Sequence, residues 1–344
     1  MSSVKEYKCL NCSAPLTFDP TSGKWKCHHC FSVFSKDELD EKNEDVSSEN
    51  LDDDSELDSY RCSSCGAELI ADKTTSATFC IYCKSSAIIK QRLSGQFKPK
   101  YVIPFKLTKD NAKSIYRTWI QKKLFAPSIF KRDDEIDKIT GIYAPFWLFD
   151  CLAKGNTRGE GKKIRTWRSG DYEYTETKYY YVEREGNLSY EKIPVDASTK
   201  LDDKFMNMIE PYDYKELEDF SMHYMSGFMA ERYDVEKEES QKVMKKRVEE
   251  FVNSRLNETI SGYSSYLKHS SNTQLNDVEI DYALMPVYLI IDSYKNKKHM
   301  FLINGQTGKV VGETPIDHKK QILFFLGISL GVFILSVLGG AFIA

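Results

Sequence analysis

The sequence predicts an α+β protein. Two small cysteine-framed modules are followed by a large domain with antiparallel strands and by one apolar C-terminal helix. Three observations carry this. Eight of the nine cysteines fall into four Cys-x-x-Cys pairs. The middle of the 344-residue chain gathers β-forming residues into groups, with helical patterns set apart from them. The last 23 residues, 322–344, carry no charge. Strands grouped apart from helices favour α+β over a parallel α/β sheet.

The cysteines come first. Cys9, Cys12, Cys27 and Cys30 form one set, and Cys62, Cys65, Cys80 and Cys83 a second. Both read C-x2-C-x14-C-x2-C. A Cys-x-x-Cys turn supplies two adjacent corners of a tetrahedron, and the intervening residues are enough for a hairpin that returns with the other two. This is zinc-ribbon spacing, with thiolates about 2.3 Å from the metal. The two sets are an internal repeat in register: Tyr7 corresponds to Tyr60, Ala14 to Ala67 and Leu16 to Leu69. Modules this short bury little, so two structural Zn2+ ions are expected to supply the folding energy, about 10–16 kcal/mol each. The polar N-terminus is unlike a secretory signal, so reduced thiols are expected rather than disulfides. His28 and His29 are expected as exposed loop residues beside a shell already closed by four sulfurs. The ribbons are expected over 1–35 and 60–96.

Between them, residues 36–59 hold twelve acids and two bases, a net of −10. The near-neutral total, 48 Lys+Arg against 51 Asp+Glu, is therefore a cancellation, with +7 on the rest of the chain. The stretch reads as a solvated, self-repelling linker.

Residues 97–317 are the bulk of the protein. A helix is expected from a Thr108 cap to Leu124, with Ala112, Ile115, Trp119 and Leu124 on or near one face and Pro127 marking its end. Gly141–Phe149 is an apolar, aromatic run that reads as a buried strand. From Ile164 to Val195 the pattern is a β-meander, with turns at Ser169-Gly170 and Gly186-Asn187 and with Tyr172, Tyr174, Thr175, Tyr179, Tyr180 and Tyr181 as β-formers. A second helix is expected from Asp234 to Leu256. Glu236, Glu238 and Glu239 favour its positive end, and Val248, Phe251 and Val252 its buried face. Strands follow at Ala283–Asp292, His299–Ile303 and Lys309–Gly312, with Asn304-Gly305 and Thr307-Gly308 marking the last turn.

The final block, 318–344, is expected to be a transmembrane tail anchor. A 23-residue helix spans about 34 Å, enough for a hydrocarbon core of about 30 Å. His318, Lys319 and Lys320 precede it, which places the N-terminal region in the cytoplasm of a single-pass protein of the cell membrane. Gly327 and Gly331 form a G-x-x-x-G pair that suits close approach of two such helices as a homodimer.

No catalytic pattern emerges. Gly155, Gly159 and Gly161 lack dinucleotide-fold spacing, there is no P-loop and no G-x-S-x-G, and Cys151 reads as core. The chain is therefore expected not to be an enzyme. An adaptor that recruits protein partners to the membrane is the first reading. A zinc-ribbon nucleic-acid-binding protein of the replication or transcription kind, tethered to the membrane, is the alternative. It is weakened by the absence of a dense Lys/Arg cluster on the ribbons.

The ribbons Tyr7–Phe34 and Tyr60–Ile88, the Pro145-Phe146-Trp147 run, the Asn304-Gly-Gln-Thr-Gly-Lys309 block and the apolar tail together resemble the Bacillus YdjG-type family of membrane-anchored double zinc-ribbon proteins. That resemblance implies a place beside PspA-like and SPFH-like proteins at the membrane, in a phage-shock-like envelope-stress response.

Overall fold

The computed structural model describes residues 9–12, 14, 16–39, 57–72, 80–82, 88–92, 99–225 and 228–343. The architecture is α+β and mostly antiparallel, as expected. The first ribbon is a three-stranded sheet of β1 (Leu16–Asp19), β2 (Lys24–Cys27) and β3 (Val33–Phe34), in the order β1-β2-β3. The second ribbon contributes β4 (Leu57–Cys62), β5 (Glu68–Asp72) and β6 (Ile88–Arg92), with β4 between the other two.

Three long strands dominate the body: β8 (Thr140–Ser169), β9 (Tyr172–Asp196) and β12 (Ser265–Tyr294), following the short β7 (Tyr101–Val102), β10 (Glu218–Asp219) and β11 (Met229–Glu231). β8 pairs antiparallel with β12 along one edge and with β9 along the other. At the base of β8 the sheet widens. There β11 pairs parallel with β8, β7 pairs parallel with β12, and β13 (Lys297–Asn304) and β14 (Val310–Gly312) extend the β12 side.

Beyond that base, β9-β8-β12 continues alone as a three-stranded finger. From Leu289, opposite Thr140, to Ser265, opposite Lys162, the strand covers about 80 Å at about 3.3 Å per residue. The apolar run 141–149 is buried because the sheet there is covered on both faces; every residue from Ile142 to Phe149 is buried, and only Gly141 is half-buried. Farther out, alternation takes over and polar side chains face solvent.

The helices match the expected pattern with local corrections. α1 (Lys109–Gln121) carries the Thr108 cap: its hydroxyl accepts from the Asn111 N–H, and Asn111 Oδ1 accepts from the Thr108 N–H. Ala112, Tyr116 and Ile120 are its buried face. Leu124 lies beyond the helix end and is 65% exposed, because α1 stops one turn earlier than the apolar periodicity suggested. α2 (Asp133–Ile136) and α3 (Asp203–Met208) are short. α4 (Lys237–Glu258) starts three residues later than expected and buries Met244, Val248, Val252 and Leu256, but Phe251 is 44% exposed. Phe251 sits one position off the buried stripe and meets Tyr190 at its edge, 5.9 Å between ring centres.

One expected turn is absent. Gly186-Asn187 lies inside β9, paired with Gly155 and Lys154 of β8, and only Ser169-Gly170 turns the chain, with Gly170 at φ +60. The glycines at 155, 159, 161 and 186 serve packing. They lie on one face of the finger, and a Cβ at Gly155 would collide with Val252, one at Gly159 with Tyr266 and Leu267, and one at Gly161 with Tyr263. Gly186 sits against Leu256. Glycine lets α4 and the Tyr263–Leu267 segment lie flat on the strands, which larger side chains would prevent.

The Asn304–Lys309 block is a polar turn whose first half, Asn304 to Gln306, is buried. Asn304 Oδ1 accepts from the N–H groups of Gln306 and Thr307, while its amide donates to Ile209 O at 3.1 Å. At the C-terminus, α5 (His318–Ile343) leaves the body beside the loop after α1. Asp317 N–H donates to Phe125 O, Lys320 donates to Ala126 O, and Phe125 packs edge-on against Phe324.

Candidate metal centres and their seating in the fold

In the first ribbon the four sulfurs of Cys9, Cys12, Cys27 and Cys30 lie within 4.8 Å of one another. Cys9 and Cys30 are 3.3 Å apart, and Cys12 and Cys27 3.5 Å. Four sulfurs about 2.3 Å from one ion at tetrahedral corners would stand a little under 4 Å apart, about 3.8 Å, so the cluster needs only a small expansion. All four are free thiols. Backbone N–H groups of Asn11 and Cys30 point at Cys9 Sγ and Cys27 Sγ, each at 3.4 Å, which supports thiolate charge.

The electrostatics fit a cation. Cys30 is held down to about 6, first by its bond to the Ser32 hydroxyl, and Cys27 is lowered first by the Cys30 backbone N–H. For Cys12 the Ala14 backbone contact acts downward, yet burial and the three neighbouring sulfurs together push it up to about 12. Sulfurs this close cannot all ionise alone, and a divalent ion at their centre removes that conflict. His28 and His29 are exposed, as expected.

The second cluster brings Cys62, Cys65 and Cys80 together on the same scale, with Cys65 and Cys80 3.6 Å apart. Cys83 lies outside the described residues. The repeat is visible in the backbone: Cys9 N–H donates to Ala14 O, and Cys62 N–H donates to Ala67 O.

Neither ribbon is a satellite on a tether. β5 pairs with β11, joining the second ribbon to the main sheet through Leu69, Ile70 and Ala71. Arg232 beside β11 donates to Glu68 at 2.8 Å. Tyr82, two residues after Cys80, donates to Glu231 of β11 at 2.5 Å, and Ser198 donates to the other carboxylate oxygen at 2.7 Å. Glu231 is buried, and burial raises it to about 7. The first ribbon docks by aromatic packing: Phe18 and Trp25 both lie against Tyr224, each 5.6 Å between ring centres. Both ends of the expected acidic linker are folded, since Leu39 is buried and Leu57–Ser59 belong to β4; residues 40–56 lie outside the described set. Sequence reasoning missed Tyr82, Glu231, Ser198 and Tyr224, because their partners are far away in the chain. The one available signal was Glu231 itself, an acid in the short apolar-flanked segment Met229–Glu231.

Cys151 is buried in the core and its thiol is raised by burial, which fits a packing role. α5 is 26 residues long, about 39 Å as a helix, and the apolar side chains from Ile322 to Leu335 are exposed, so it is long and apolar enough to cross a membrane.

The fold and site together define a double cysteine-cluster α+β protein with one apolar C-terminal helix. The chain is 37% identical over 331 residues to the uncharacterized protein YdjG of Bacillus subtilis (strain 168), covering 96% of each. It belongs to the YdjG family. No family model and no solved structure matches the chain.

Proposed function

We propose that the protein is a membrane-anchored, cytosol-facing adaptor that recruits protein partners to the membrane and is not an enzyme. The observation that carries this reading is a spatial one. The exposed apolar helix leaves the body near Phe125, whose neighbour Phe130 packs against Tyr294 and His299 at the base of β12. The finger tip lies at the opposite end of the same strand. A body that holds an anchor at one end and a long polar sheet at the other is a spacer. Two Zn2+ ions, one in each cluster, hold the ribbons that flank it. His318, Lys319 and Lys320 at the mouth of α5 favour the cytoplasmic side for everything before them. By the family resemblance, PspA-like or SPFH-like proteins in an envelope-stress response are the partners.

The test is co-purification of detergent-solubilised full-length protein with such a partner, and its loss with Cys62→Ser. Recovery of lipid alone with the wild-type chain overturns the adaptor reading.

One observation favours a second reading, nucleic-acid binding. Trp167 and Tyr174 stack across the finger tip, 5.7 Å apart and 14° from parallel, with Arg165 over the Trp167 ring. Exposed rings and cations on a sheet suit single strands. A salt-sensitive mobility shift with the full-length chain, lost in Trp167→Ala, supports it; no shift at low salt removes it.

A further inference from the structure

The finger has two outer edges, and they differ. The β12 edge is broken by register shifts at Lys268/Ser270 and Asn276/Glu279, and Asp277 has φ +49. Bulges of this kind keep an edge from accepting another strand. The β9 edge lacks that protection. From Tyr172 to Tyr190 its pairing to β8 runs without a shift, it contains no proline, and among the described residues β9 pairs with no strand but β8. Its side chains are mostly exposed, with Tyr172 at 72% and Tyr181 at 72%. A long, regular, tyrosine-rich row of outward N–H and C=O groups is a template for one more strand.

The charges on that edge identify the strand that fits. Two antiparallel copies of β9 related by a two-fold axis pair residue with residue about the central position, and donors meet acceptors only when the axis passes through a residue position. Centring on Lys178 opposes Lys178 to itself. Centring on Tyr179 opposes Glu173 to Glu185, on Tyr181 opposes Lys178 to Arg184, and on Val182 opposes Glu173 to Glu191. Centring on Thr177 gives no like-charge pair but pairs only residues 172–182, whereas centring on Tyr180 gives none and pairs residues 172–188, so it buries the longer stretch of edge. The Tyr180 register sets Glu176 opposite Arg184 twice, Tyr179 opposite Tyr181 twice, and Tyr180 opposite Tyr180. Opposed aromatic and opposite-charge pairs stabilise a sheet and like charges destabilise it.

We propose that the β9 edge is a homotypic docking surface, on which a second copy of this chain adds its own β9 antiparallel and centred on Tyr180. The two fingers then form one continuous six-stranded sheet. The bodies lie at opposite ends, about 100 Å apart at about 3.3 Å per residue from Gly161, opposite Tyr180, to Phe146 in each copy, so this contact is separate from any contact between α5 helices. With both anchors in one membrane, the joined fingers run along its surface.

Cysteine crosslinking of the zinc-loaded full-length chain in detergent tests this. Tyr180→Cys should give a covalent dimer with a short bifunctional thiol reagent, since opposed Cβ atoms lie about 5 Å apart. Tyr174→Cys should give none, because it faces Gly186. The Tyr180→Cys crosslink should persist with Gly327→Leu and Gly331→Leu. A second measurement uses the charges. Glu176→Arg or Arg184→Glu alone should weaken the dimer about tenfold, corresponding to about 1.4 kcal/mol, and the double exchange should restore it. A monomer at all concentrations, equal crosslinking at 174 and 180, or no rescue by the double exchange overturns the proposal.

Discussion

The Tyr82 hydroxyl donates to the Glu231 carboxylate across 149 residues of sequence, and it ties the second cysteine cluster to the main sheet. Tyr82 lies two residues after Cys80 of the second cysteine cluster, while Glu231 lies on β11, which pairs with both β5 and β8. Folding of the second ribbon and of the body is thereby coupled. Tyr82→Phe leaves one buried oxygen of Glu231 without its donor and is expected to cost about 1–3 kcal/mol. Chemical denaturation followed by tryptophan fluorescence checks this, with Tyr214→Phe as a control away from the ribbon.

The same carboxylate gives the body a pH dependence. Burial raises Glu231 to about 7; burial, then the charge of Glu231, raises Asp196 to about 8. Unfolded carboxyls titrate near pH 4, so between about pH 4 and 8 the folded chain holds protons that the unfolded chain releases. Stability therefore falls as pH rises through that window. Denaturation midpoints in zinc-saturated buffer should be lower at pH 8.5 than at pH 6. Asp196→Asn should flatten the upper part of the curve by about 1–3 kcal/mol. A midpoint that rises with pH over this range contradicts the assignment.

Metal removal should act unequally. Metal analysis of the full-length protein should give two zinc ions, and one after Cys27→Ser. Loss from the second cluster should raise hydrogen exchange in Met229–Glu231, whereas loss from the first should raise it around Tyr224 and leave β11 protected. Equal protection of β11 in both cases would separate the second ribbon from the body.

The helix–finger contact is tight enough to be tested by a single methyl group. Gly155→Ala should destabilise the protein by about 1–3 kcal/mol through overpacking against Val252, and Val252→Ala should recover part of that loss in the double variant. Thermal unfolding of the four chains forms the cycle. Additive losses would show that the two positions do not meet.

Helix α1 offers a control that involves no site. Thr108→Ala removes the acceptor for the Asn111 N–H and should cost about 1 kcal/mol, while Thr108→Ser should cost much less.

Much of this protein is legible in its sequence because the signals are local. Cysteine spacing places two cysteine clusters that could hold a metal ion, and the matching Cys9–Ala14 and Cys62–Ala67 bonds confirm the repeat that the spacing announced. The Thr108 cap, the buried run around Pro145-Phe146-Trp147 and the apolar tail likewise follow from the character of adjacent residues. Periodicity misjudged Leu124, which lies beyond the end of α1, and Phe251, which sits one position off its helical stripe, where a one-residue phase error exchanges core for solvent. It also took Gly186-Asn187 for a turn, because glycine marks turns and close packing alike.

By itself the sequence determined the grouping of the described cysteines into two clusters, the two longer helices of the body and the terminal apolar segment, all of which depend on contacts within a few tens of residues. The tertiary structure decided what those parts are attached to. It joined β5 to β11, set Trp25 against Tyr224, and extended β8, β9 and β12 into one finger. Such pairings depend on which distant strand edge presents matching hydrogen bonds and which distant face fits, and no spacing along the chain encodes that directly.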